Sequence, residues 1–442
     1  MSIQLSDHFT FGRLLRFTIP SIIMMIFTSI YSVVDALFVS NFVGKTSFAA
    51  VNLITPVLVI TSSVGFMIGS GGSARVAMLL GERKTKDANL VFSMLIYVTG
   101  IFGIILSILG FIFMDKIAAF LGAEGKLSQD AAFYGRLLIC ACPFFMMQNI
   151  FQSFLVVAEK PKMGLVLTIG AGITNIILDA LFIVIFKWGL LGAALATCIS
   201  QVLGGGIPLL YFCFPNKTAL RFGKFVMQMR ELFKACTNGS SELVTNISVA
   251  FVSILYNYQL VKIAGENGIA SYGALMYVSC IFAAVFIGYG IGTSPVISYH
   301  YGAENKDEVK NLLKKNMIFA AVSGIVLFLV SEMLSSPVAK IFTGYDDALF
   351  EITKRAVVLY SFSYIFAGLN TIASAFFTAL NNGFVSALIS LSRTFVFNIV
   401  FVFLLPMFFS LDGIWLCCAC AEICTLIISL ICVIMNKKKY GY

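Results

Sequence analysis

FTIPSIIMMIFTSIYSVVDALFVS, residues 17–40, holds a single charged residue, Asp35, in an otherwise apolar and hydroxyl-bearing run. A helix needs about 20 such residues to cross the ~30 Å hydrocarbon core of a bilayer. The stretch therefore reads as a transmembrane helix with one acid placed where charge is expensive. The rest of the chain repeats this pattern. Of its 442 residues, 59% are hydrophobic and 12% charged, and the mean hydropathy is +0.96. Soluble chains carry roughly 25% charged residues, so this one has too little polar surface to face water all round. A membrane barrel would alternate apolar and polar residues over about ten positions, whereas these apolar runs are continuous.

Working outward, runs long enough to span lie at 17–40, 52–80, 90–113, 131–156, 164–186, 190–214, 239–262, 269–299, 316–335, 355–379, 384–408 and 412–435. The expected fold is all-α, a polytopic membrane protein of twelve helices. Gly204-Gly205-Gly206 and Pro208 predict a bend in the sixth span. The opening MSIQLSDHFTFGRLLRF is polar and then basic, and the run behind it is long enough to span, so no cleavable leader is expected. The net charge of +9 sits between apolar runs and not on one face of a soluble domain, so no nucleic-acid partner is expected. The cysteines, such as Cys417, Cys418, Cys420 and Cys424, lie in apolar segments and read as small apolar residues.

With the N-terminus placed in the cytoplasm, 19 Lys and Arg fall on the cytoplasmic side, Lys217 among them, and 8 on the other. The positive-inside rule then predicts both termini in the cytoplasm, and the membrane is expected to be the inner (plasma) membrane. A shift of 221 residues lays GFMIGSGGSARVAMLLGE (65–82) on FIGYGIGTSPVISYHYGAE (286–304). Gly69 falls on Gly290, Gly71 on Gly292, Ser73 on Ser294 and Gly81 on Gly302. This predicts a duplication: a lobe over 1–214, a cytoplasmic linker over 215–235 and a second lobe over 236–442. Six helices per half give both halves one orientation, related by an axis along the membrane normal. Paired halves of this kind suit alternating access.

Charge at mid-membrane costs about 2.5–3.5 kcal/mol on insertion scales and marks functional candidates. Asp35, Asp179 and Glu422 qualify. Asn175 precedes Asp179 by four residues and shares its helical face, and Thr197 adds a hydroxyl on the sixth span. If the first and fifth spans face each other, Asp35, Asn175, Asp179 and Thr197 make one polar site. Two adjacent carboxyls can hold a proton between them, or their oxygens can ligate Na⁺, a hard cation. The alternative is that each Asp bonds a neighbouring hydroxyl or caps a kink. At the 221 offset these four fall on Tyr256, Val396, Val400 and Cys418, so the acidic site is expected in the first half alone.

Tyr31, Gln148, Gln152, Tyr256, Asn257 and Tyr364 are candidate substrate-binding residues, with helix packing as the rival explanation. Met24, Met25, Met146 and Met147 add adaptable surface. Arg393 and Glu422 are candidates for an ion pair between the last two spans. Glu242 reads as a charge at the start of the seventh helix, or as a gate or second ion site. His8 and His300 belong to no metal or nucleophile constellation. No metal is expected beyond Na⁺ at the four-residue site, no cofactor is expected, and no enzyme constellation appears. A small organic molecule and membrane lipid are the expected partners of a monomer.

The chain resembles the multidrug and toxic compound extrusion (MATE) family. The residues that carry the likeness are RFTIPSIIMMIFTSIYSVVDALFVSNFVG (16–44), GSGGSARVAMLLGERKTKDA (69–88), AEKPKMG (158–164), NIILDALFI (175–183) and WGLLGAALATCISQV (188–202). It is most similar to the prokaryotic DinF-like and MepA-like members. The resemblance implies two six-helix lobes in a V. It also implies export of organic, often cationic, compounds against H⁺ or Na⁺. In that branch an Asp on helix 1, an Asn and Asp on helix 5 and a Thr on helix 6 form the cation site, matched here by Asp35, Asn175, Asp179 and Thr197. Other branches place an acidic pair on helices 7 and 10. Here helix 10 carries no interior carboxylate, so no such second site is expected. The helix-1 proline is present as Pro20, while its offset partner is Ser241. The competing reading is a lipid-linked precursor flippase of the same superfamily, which would line its central cavity with basic residues; only Arg393 and Arg136 could serve.

Overall fold

The protein's structure, a computed structural model, describes residues 3–216, 218–344 and 346–442, with nothing stated for the Lys45 side chain. Lys217, one of the basic residues placed in the linker, lies outside the described residues. Among the described residues there is no strand. The first six helices are α1 (Phe11–Phe42), α2 (Lys45–Gly81), α3 (Thr85–Phe120), α4 (Gly125–Val157), α5 (Pro161–Asp179) and α6 (Leu190–Cys213). A continuous run, Met229–Gly302, breaks at Gly265 (φ 61°, ψ −143°) into α7 (229–264) and α8 (266–302). There follow α9 (Lys306–Thr343), α10 (Asp347–Ala379), α11 (Gly383–Leu404) and α12 (Pro406–Tyr440). These are the twelve helices expected, in two six-helix lobes.

The helices outrun the apolar stretches because their polar ends project past the hydrocarbon slab. α9 starts ten residues before its apolar run, on a first turn capped by Asn305 Oδ1 accepting from Glu308 N–H at 3.1 Å. α7 likewise begins at Met229, so the linker expected over 215–235 is already helical in its last third. α6 stays helical through Gly204–Gly206 and Pro208, the stretch where a bend is expected. The glycines serve close approach: a Cβ on Gly205 would stand 2.1 Å from Phe144 O on α4. Small residues let membrane helices pack at backbone distance.

Four backbone positions establish the duplication in three dimensions. Gly44 and Gly265 both take positive φ (112° and 61°). Gly189 (φ 56°, ψ −130°) and Ser410 (φ 50°, ψ −126°) adopt one conformation at the same turn of each half. Both pairs are 221 residues apart.

We call the end that carries both termini the base and the opposite end the mouth. Each lobe has a core cluster toward either end. In the first lobe, Phe92, Phe151, Phe154 and Phe212 fill the base and Ile54, Met114 and Ile139 the mouth side. In the second, Tyr289, Phe376 and Phe377 fill the base and Tyr256, Leu260 and Trp415 the mouth side. The lobes meet through α1 and α2 against α7 and α8. A Cβ on Gly81 would lie 2.0 Å from Tyr299 O, and one on Gly302 would lie 2.1 Å from Met78 O. Met78 and Tyr299 are themselves repeat partners, so the seam contacts itself by pseudo-two-fold symmetry. Arg75 of α2 adds an ion pair across it, with Nε 2.5 Å from Glu231 Oε2 of α7.

A carboxyl pair in the first lobe and an aromatic cavity in the second

Asp179 ends the α-helical part of α5. The next residues, Ala180–Ile185, form a π-helical turn in which Phe186 N–H donates to Leu181 O. One inserted residue of this kind re-aims the side chains around it, and such turns recur at functional sites. Asp179 is 0% exposed, and Asp35 of α1 is half-buried opposite it. Their carboxyls face each other within hydrogen-bonding reach. Among the described residues no N–H or O–H donates to Asp35 Oδ1 or to either oxygen of Asp179.

A buried carboxylate without donors, as at Asp179, costs several kcal/mol. A proton shared with Asp35, or a bound cation, removes the cost. Asn175 lies one turn before Asp179 and is buried. On α6 the Thr197 hydroxyl donates to Ala193 O at 3.0 Å, so its oxygen remains free to accept or to ligate. Carboxylate, amide and hydroxyl oxygens are a hard-cation donor set. No cluster of three or more His, Cys, Asp or Glu occurs among the described residues.

Tyr134 of α4 is the residue that sequence reading missed. It is buried, its hydroxyl lies beside that of Thr197, and it feels the charges of both Asp35 and Asp179. A lone tyrosine in an apolar helix carries no pattern that could have singled it out. Tyr31 also belongs here: its hydroxyl meets the Gln148 side chain, near Asp35. Gln152, one turn further along α4, keeps its Oε1 unpartnered.

The other substrate candidates lie in the second lobe. Tyr256 and Tyr364 line a cavity of about 250 Å³ with Tyr272, Tyr360, Arg393 and Glu422. Tyr256 donates to Asn398 Oδ1 at 3.0 Å and stacks on Tyr272 at 5.3 Å. The buried Tyr364 hydroxyl is unpartnered. Asn257 is not among the cavity's lining residues. Arg393 stands at the cavity's edge with Nη1 3.5 Å from Glu422 Oε1 and 2.5 Å from Thr371 Oγ1. Asn370 Nδ2 donates to Glu422 Oε2 at 2.7 Å.

Glu242 is not the start of its helix. α7 begins thirteen residues earlier, because the polar stretch from Met229 is helical, and the first-turn acid is Glu231. Glu242 lines a small polar cavity at the seam with Ser70, Ser73, Ser153, Ser294 and Arg393. His300 is buried at the base, its Nε2 3.2 Å from Asp7 O.

Known proteins fit this architecture. The MatE family model matches the chain twice, over residues 20–181 and 243–404, once in each half. The multidrug export protein MepA of Staphylococcus aureus (strain MRSA252) is 24% identical over 433 residues, covering 97% of this chain and 94% of its own. MepA of Staphylococcus haemolyticus (strain JCSC1435) is 23% identical over 369 residues, covering 81% and 80%. Among solved structures, MATE in complex with MaL6 superposes with a TM-score of 0.92 at 21% identity over 97% of this chain and 96% of that one. An outward-facing multidrug resistance MATE family transporter of the MOP superfamily gives 0.91 at 21% identity over the same shares. A MOP superfamily transporter from Pyrococcus furiosus, described by the reversed polarity of its binding pocket, gives 0.90 at 21% identity, again over 97% and 96%. Matched in both halves and folded in the same two lobes, the chain belongs to the MatE family of multidrug and toxic compound extrusion transporters.

Proposed function

We propose that the chain exports organic, often cationic, compounds through a cell membrane by alternating access, exchanging them for H⁺ or Na⁺ taken up at Asp35, Asn175, Asp179 and Thr197. The observation that carries this reading is the facing of Asp35 and Asp179, with Asp35 Oδ1 and both Asp179 oxygens unpartnered. A site so built carries one negative charge fewer with a cation than without, and that difference can bias two lobe arrangements. Asp35 sits on a helix of the interlobe seam, and Asp179 on one away from it. Loading the pair therefore ties α1 to α5 and changes what α1 can do against α8.

The basic bias supports both termini in the cytoplasm and insertion in the plasma membrane. Substrate contacts are then offered by Tyr31 and Gln148 in the first lobe and by the cavity of Tyr256 and Tyr364 in the second. One elementary charge moved through 100 mV yields about 2.3 kcal/mol. At about 1.4 kcal/mol per tenfold, that supports a substrate gradient of roughly 40-fold.

The test is transport of a fluorescent organic cation in proteoliposomes, under a pH gradient and then under a Na⁺ gradient. Efflux driven by either gradient, and lost in Asp35→Asn, is expected. Full driven efflux by that variant would refute the role assigned to the pair.

A further inference from the structure

The chain ahead of α1 belongs covalently to the first lobe but docks on the second. Phe9 N–H donates to Glu308 Oε1 at 2.9 Å, and His8 Nδ1 lies 2.6 Å from Oε2 of the same carboxyl. Phe9 O accepts from Asn311 Nδ2 at 3.2 Å and from Lys315 Nζ. Asp7 O meets His300. At its far end the segment turns back to the first lobe, where Leu5 N–H donates to Glu159 Oε1 at 2.7 Å. Leu5 and Phe9 are 2% and 0% exposed. The Phe9 ring meets Phe17 of α1 edge-on at 5.9 Å and His300 of α8 at 6.4 Å, so it is wedged between the lobes.

The segment's partners require both lobes at once. Glu159 closes the α4–α5 corner of the first lobe, while Glu308, Asn311 and Lys315 line the first turns of α9 in the second. Glu308 accepts one further side-chain bond, from Asn311 Nδ2 at 3.0 Å. Two of its three side-chain contacts are thus supplied by the segment, and withdrawing them leaves a buried carboxylate under-bonded. Thr10, with extended dihedrals (φ −71°, ψ 162°), separates the segment from α1 and forms the joint on which it can swing. This dock lies at the base, in a different half of the molecule from the carboxyl pair.

We propose that residues 5–9 form a latch: seated on Glu308, they hold the base closed, and they undock before the lobes part there. The proposal rests on the alternating-access reading for its purpose, but its physical test does not require transport.

The native reporter is Cys236, half-buried in α7 and packed on the first lobe's base cluster. The full-length protein in lipid nanodiscs is alkylated with a soluble maleimide, and modification is read site by site by mass spectrometry. Cys417, fully buried in the second lobe, reports global unfolding. Glu308→Ala should be modified at Cys236 about tenfold faster than wild type, the shift given by losing about 1.4 kcal/mol from the closed state, with Cys417 unreactive. An unchanged Cys236 rate overturns the latch.

Should Cys417 become reactive, the decisive variant is His8→Cys with Glu308→Cys, joined by a short reducible bis-thiosulfonate. The joined protein should hold Cys236 at or below its slow rate and lose efflux of a fluorescent cation until reductant is added. Full efflux while joined overturns the latch. Wild type treated with the same reagent controls for the native cysteines. A wild type without efflux counts against the export reading alone, since the Cys236 rates still decide the latch.

Discussion

Gly71 of α2 and Gly239 of α7 meet backbone to backbone across the lobe seam. A Cβ on Gly71 would stand 2.4 Å from Gly239 N, and one on Gly239 would stand 2.9 Å from Gly71 N and 1.8 Å from Met67 O. Neither helix can yield alone, because the obstructing atoms are main chain. Gly239→Leu should therefore push the lobes apart at the base. Overpacking of this kind costs about 1–3 kcal/mol. The expected result is a lower melting temperature in detergent together with faster alkylation of Cys236; Gly170→Ala, at a position with open space, should change neither.

The carboxyl pair should behave as one unit. Asp35→Asn and Asp179→Asn each remove half of a shared proton or cation site, so either alone should lower gradient-driven efflux to background. The double variant should be no worse than the singles, because groups acting together are not additive. Initial efflux rates in proteoliposomes, compared across the cycle, check this. Equal and additive partial losses would mean that the two acids act independently.

Tyr134→Phe removes one hydroxyl beside Thr197 and leaves the ring in its core. The stability change should stay near 1 kcal/mol, the worth of a typical hydrogen bond. The concentration of coupling cation needed for half-maximal efflux should rise severalfold. A shift in maximal rate without a shift in that concentration would place Tyr134 outside the cation site.

Arg393 and Glu422, with side chains 18% and 5% exposed, form an internal pair. Glu422→Met leaves the guanidinium without its carboxylate and should cost about 3–5 kcal/mol, whereas Arg393→Met with Glu422→Met should recover most of it. Denaturation midpoints of the three variants measure the difference. The dependence of efflux on the coupling cation should persist in the double variant, since the pair lies in the lobe without Asp35 and Asp179.

Much of this was legible from residue types against an apolar background. Asp35 and Asp179 stood out because a charge in such a run has no cheap explanation, and the four-residue step from Asn175 put it on the same face. The glycines at constant offset exposed the duplication. Other features left no local trace. Arg75 and Glu231 pair across 156 positions, and no pattern in either helix announces the other. Ser410 takes a left-handed conformation with a residue that does not ask for it; only its partner Gly189 hints at the turn. The helical start at Met229 was hidden because residues that project beyond the lipid need not be apolar. The leading segment read as polar and basic, although two of its apolar members, Leu5 and Phe9, are enclosed by the lobes.

The reciprocal contacts of Gly81 with Tyr299 and Gly302 with Met78 give the seam the character of an isologous interface, in which every contact is made twice by the same surface. A half-length chain carrying this one surface has what it needs to close on a second copy of itself. The two halves keep this clasp in common and differ inside: one carries Asp35 and Asp179, the other a tyrosine-lined chamber.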